Sequence, residues 1–159
     1  MKSNHYTHSL YYKLLIGYLI FGLLGFITIA TISSEMTYHH LVERESEVLY
    51  DEATMIADRC SKAYEGKTIN LDSAYPQIEA VSTYLQSDIW ILNHEGTIVA
   101  DSSDSRTGIT IDDFDPTAQG NRLYSIGQYY NLFDSKVLSV SAPITGNMKT
   151  YGYIVIHMP

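Results

Sequence analysis

Residues Leu14 to Ile32 read LLIGYLIFGLLGFITIATI, nineteen positions without a charge, entered from Lys13 and separated from Glu35 only by Ser33 and Ser34. At about 1.5 Å per residue a helix of that length reaches roughly 28 Å, close to the hydrocarbon thickness of a bilayer. The flanking charge is lopsided. Lys2 and Lys13 precede the run with no acid, and all 18 acidic residues follow it together with only eight basic ones. The positive-inside rule then leaves residues 1–13 as a cytoplasmic tail, 14–32 as a transmembrane helix and 33–159 as an extracytoplasmic domain. A cleaved signal peptide is the competing reading. The run exceeds the usual 7–15 residue apolar core of such peptides, and no A-x-A-like pair precedes a cut around Ala30 to Ser34.

The external part carries a net charge of −10 with His neutral, 18 acids against eight bases. Such a surface repels nucleic acid and anionic lipid headgroups, so neither is expected as a ligand. About 127 residues remain outside the span, enough for one core of ordinary size. The single Cys60 excludes an internal disulfide framework and is expected as a small buried hydrophobe rather than an inter-chain bridge.

Directly after the span, residues 33–65 contain neither Pro nor Gly, and a helix is expected up to Gly66. Ser33 or Ser34 can initiate it, or it continues from the anchor. Val42, Leu49, Ile56 and Ala63 recur every seven residues, with Ser46, Ala53 and Cys60 four positions after the first three. These are the a and d positions of a heptad, and Leu41, Val48 and Met55 widen the stripe. The width suggests one edge packed on the domain and one on a partner helix, hence a homodimer. After a loop at Lys67–Leu71, Asp72 or Ser73 caps a second helix with Pro76 in its first turn, ending near Ser87. Asp88–Asn93 and Thr97–Asp101 then read as a β-hairpin around His94-Glu95-Gly96. A polar crossing at 102–122 leads to strands at Leu123–Asn131, Lys136–Pro143 and Tyr151–His157, with a turn near Gly146-Asn147. Short connections make these antiparallel neighbours, so the expected fold is α+β with an antiparallel sheet of about five strands covered by helices.

An anchor, a long helix, the hairpin DIWILNHEGTIVADSS, a polar loop containing Gly108, and the closing KVLSVSAPITG and YGYIVIHMP strands together resemble the PAS-like Cache (PDC) sensor domain of bacterial membrane-bound sensor histidine kinases. The resemblance covers residues 33–159. It implies a five-stranded antiparallel sheet with the long N-terminal helix on one face and ligand-enclosing loops on the other. It also implies a second membrane helix, a HAMP linker and a kinase beyond the last strand, so that the chain is the input portion of a longer receptor. Any response regulator would then be a partner only through that kinase region.

Catalytic patterns are thin. His39-His40 with Glu43 lacks the H-E-x-x-H order of a zinc helix and reads as a solvated pair. No nucleophile elbow, Walker loop or CxxC occurs, so neither a catalytic residue nor a cofactor is expected in residues 1–159. Asp101, Asp104, Asp112, Asp113 and Asp115 crowd one segment, and hard cations take carboxylate oxygens, but the spacing is no EF-hand. Asp112, Asp113 and Asp115 are thus weak metal candidates. For a small ligand the polar contributors are Arg106, Tyr129, Tyr130, Ser139 and Ser141. Arg106 lies in the loop expected over the sheet, and a guanidinium fork suits a carboxylate. Ser139 and Ser141 share one strand face, opposite Leu138, Val140 and Ala142. Two function classes follow: signal input to a histidine kinase, sensing a small molecule or a protein, and the same input fold on a chemotaxis receptor or cyclic-dinucleotide enzyme. A ligand-free interaction domain is the third reading.

Overall fold

A computed structural model describes residues 4–62, 64–65, 68–69, 71–116 and 124–159. The chain forms two compact units, Met1–Glu43 and Arg44–Pro159. Helix α1 (Asn4–Lys62) runs without a break through Ser33 and Ser34, so neither serine acts as a cap. In the first unit its apolar side chains are exposed from Leu10 to Ile32, and an 18-residue stretch reaches a mean hydropathy of 2.3 with none of it buried. This helix is long and apolar enough to cross a membrane.

In the second unit α1 is followed by a short hairpin, β1 (Tyr64–Glu65) and β2 (Thr68–Ile69), where the sequence pattern predicts the end of the helix and a loop. Helix α2 (Leu71–Leu85) begins one residue ahead of the expected Asp72 cap and keeps Pro76 in its early turns. A five-stranded sheet completes the fold: β3 (Asp88–Asn93), β4 (Ile98–Asp101), β5 (Tyr124–Gly127), β6 (Val137–Gly146) and β7 (Lys149–Met158). Its order is β4-β3-β7-β6-β5, and every neighbour is antiparallel. The fold is therefore α+β, with a long N-terminal helix and a five-stranded antiparallel sheet. The last two strands turn on Asn147 and Met148, both at positive φ (49° and 61°), as a two-residue hairpin of the sheet's own twist requires.

Alternation within the strands divides the apolar residues between two cores. Ile89, Ile91, Val140, Ala142, Ile154 and Ile156 pack with Leu49, Ala53, Ile56, Ala57 and Cys60 of α1 and with Ile78 of α2. Trp90, Leu92, Val137 and Val155 face the other way, under Ile111, Phe114, Tyr129, Leu132 and Phe133 from the loops. Close approach fixes the sheet's centre. A Cβ on Gly152 would lie 2.1 Å from the Leu92 carbonyl oxygen, so β3 and β7 meet there only because the side chain is absent.

The heptad reading needs correction. Leu49 and Ile56 are 0% and 1% exposed, and Ser46, Ala53 and Cys60 are buried beside them. Leu49, Ala53, Ile56 and Cys60 of the a/d stripe pack on the chain's own sheet rather than facing a partner helix. Val42 is half-buried, and Ala63 lies outside the described residues. Val48 and Met55 remain exposed. Strand β5 is also shorter than expected, for after Gly127 the chain enters three consecutive left-handed residues, Tyr129, Tyr130 and Asn131 (φ 36°, 52° and 59°), which no strand accommodates.

Candidate functional site

The loop after β4 is built around one carboxylate. Asp101 is fully buried, and its two oxygens accept from the Ser103, Ser105 and Arg106 backbone N–H groups (2.9, 3.2 and 2.9 Å) and from the Ser103 and Ser105 hydroxyls. A buried carboxylate is costly unless so satisfied. The run Asp-Ser-Ser-Asp-Ser-Arg thus folds onto its first residue and delivers Arg106 to the face of the sheet away from the helices.

There the Arg106 guanidinium lies over the rings of Trp90 and Phe133, at 5.5 and 4.8 Å from their centroids. Nη2 donates to the Leu132 carbonyl (3.3 Å), Nη1 to the Ser105 hydroxyl (3.1 Å), and Asp88 stands 4.0 Å away as a loose ion partner. Burial and the nearby Asp101 raise the Asp88 carboxyl above its ordinary range, against the opposing pull of Arg106.

Below the guanidinium is an aromatic cluster. Phe133 stacks on Trp90 at 5.3 Å and 7°, and Tyr129 meets Trp90 edge-on at 5.9 Å. His157, 1% exposed, lies 4.1 Å from Trp90, 4.4 Å from Tyr129 and 4.9 Å from Phe133. Sheet register brings it there, because His157 pairs with Asp88 on one side and Ser139 on the other. Its Nδ1 shares a 2.8 Å hydrogen bond with the Ser139 hydroxyl. Burial, aided by the Arg106 charge, lowers its pKa to about 3, so the ring is neutral. Burial also raises the Tyr129 phenol, although a hydrogen bond with Ser141 works in the other direction. Two polar atoms in this cluster, Trp90 Nε1 and His157 Nε2, are buried without a hydrogen-bond partner among the described residues.

Of the residues expected at a ligand site, Arg106, Tyr129, Ser139 and Ser141 come together. Tyr130 does not join them in the interior. It is 40% exposed, and its hydroxyl bridges to the Asp115 backbone. Trp90, Phe133 and His157 escaped the sequence reading. Asp112, Asp113 and Asp115 are exposed, and among the described residues no three His, Cys, Asp or Glu side chains approach closely enough to hold a metal ion. Cys60 is free and buried, and burial pushes its thiol up to about 11.

No protein-family model and no curated protein matches the chain. Among solved structures it is similar to the extracellular domain of the putative histidine kinase rpHK1S-Z16, with a TM-score of 0.52 and 16% identity over 84% of this chain and 59% of that one. The chain thus spans about three fifths of that neighbour's length. The likeness is one of fold: a long N-terminal helix against a five-stranded antiparallel sheet.

Proposed function

We propose that this chain is the signal-input region of a membrane-bound sensor histidine kinase, with residues 33–159 as a PAS-like Cache domain outside the cell and residues 1–13 in the cytoplasm. One observation carries the reading. An apolar stretch long enough to span a bilayer and a domain with the fold of a kinase's extracellular domain are joined by a single helix. The cue is a small anion paired with Arg106 over the Trp90–His157 cluster, supported by the two buried nitrogen atoms there that lack partners. The signal leaves through α1 in a homodimer, for which Leu41, Val48 and Met55 are apolar positions still exposed. Kinase activity and the response regulator belong to a region beyond residue 159.

Topology is the test. A phosphatase reporter fused after His157 should be active only outside the cytoplasm of a bacterial host. A fusion that is made in full but stays inactive overturns the orientation and the sensor reading with it.

A further inference from the structure

Resting on the small-molecule reading above, we propose that Phe133 occupies in cis the seat of an aromatic carboxylate, and that such a ligand signals by displacing the strap at residues 128–134. The seat is defined by what surrounds the Phe133 ring: a parallel indole on one side, a guanidinium over the ring, and the His157 imidazole at 4.9 Å. A free aromatic ring meets the same three surfaces. A cationic ring is repelled by Arg106, whereas an anionic one is drawn to it.

Phe133 fills the seat incompletely. It brings no polar atom, and Trp90 Nε1 and His157 Nε2 of the rings it packs against have no hydrogen-bond partner among the described residues. Burying such groups without partners is unfavourable, and a carboxylate brings lone pairs for the indole N–H and, when the Ser139 hydroxyl donates to Nδ1, for the His157 Nε2–H. The guanidinium is likewise under-used: its contacts are the Leu132 carbonyl, the Ser105 hydroxyl and the distant Asp88. A ligand that joins a ring to a carboxylate supplies what Phe133 provides and what it leaves out.

The strap is suited to leaving. Three successive non-glycine residues in the left-handed region precede Phe133, and L-residues adopt that conformation at an energetic cost. Among the described residues, Arg106 Nη2 to the Leu132 carbonyl and the Tyr130 hydroxyl to Asp115 tie the strap to the loop after β4, and buried Tyr129 holds its base against Trp90 and His157. It also has room. A cleft of about 320 Å³ lies against Tyr130, Asn131 and Leu132, and another of about 350 Å³ against Phe133, Ser135 and Val137.

Trp90 is the only tryptophan, so its emission reports the seat directly. The experiment titrates the whole chain in detergent micelles with benzoate, and with acetate and benzyl alcohol as the charge-only and ring-only controls. Benzoate should change Trp90 emission saturably, each control should bind at least about tenfold more weakly, and Arg106→Ala should lose the response. Phe133→Ala should bind benzoate about tenfold or more tightly than wild type, because the internal occupant no longer competes. Phe133→Leu keeps apolar volume without the ring, and should fall between them even where the alanine variant fails to fold. Equal benzoate affinity in wild type and the folded Phe133 variants overturns the proposal, and acetate binding as tightly as benzoate overturns the aromatic class. Silence toward benzoate with a thermal shift from another metabolite overturns the proposal but leaves the small-molecule reading standing. That reading falls only if a broad metabolite panel is silent as well.

Discussion

His157 is a titratable group held in a place that favours only its neutral form. Its pKa falls from 6.5 to about 3 on folding, so between those values the unfolded chain binds a proton that the folded chain refuses. Its contribution to stability is therefore complete above about pH 6.5 and is lost as pH falls toward 3, with a limiting slope of about 1.4 kcal/mol per pH unit. Thermal melts across that window should show His157→Gln with a shallower decline than wild type, and parallel curves would contradict the buried neutral ring. Gly152 makes a different demand, for the 2.1 Å between its would-be Cβ and the Leu92 carbonyl leaves no room for a methyl group. Gly152→Ala should lower stability by roughly 1–3 kcal/mol in chemical denaturation, as overpacking at a rigid backbone contact does.

Helix α1 shows where a periodic pattern reads well and where it does not. The period of seven in Leu49 and Ile56 identifies a buried stripe, but a stripe on a sheet and a stripe on a partner helix leave the same spacing in sequence. What separates them is the second surface, which the neighbouring strands supply. A swap of charges distinguishes the two edges. Val48→Lys with Met55→Lys should leave the fold intact and weaken self-association in cross-linking, whereas Leu49→Lys with Ile56→Lys should unfold the domain by burying charge. The strands were legible as apolar runs, and Asp88–Asn93 begins and ends where its residues suggest. Tyr129 and Tyr130 looked like strand continuation because both are β-formers, and nothing in their types announces a left-handed turn. Arg106, Ser139 and Ser141 stood out by chemistry and alternation. Trp90 and His157 are 67 positions apart in the sequence and meet only through β3–β7 register, which local pattern does not encode.

Across the whole second unit, one sheet separates an aliphatic core under the helices from an aromatic one under the loops. Damage on one side should stay there. Ile56→Ala should cost about 2–5 kcal/mol in denaturant while leaving the Trp90 emission of the native state unchanged, and a shifted native spectrum would mean that the two cores communicate at rest. The order of strands carries a consequence for biogenesis. β7 lies between β3 and β6 and is paired along both edges, yet it is the last of the five to be synthesised. Until residues 149–158 have been made, β3–β4 and β5–β6 are separate ribbons with no common sheet to join. Folding of this unit therefore waits for β7, the last of its own strands to emerge. A ribosome stalled before β7 would leave both ribbons with a bare edge, the kind of surface on which quality-control chaperones act.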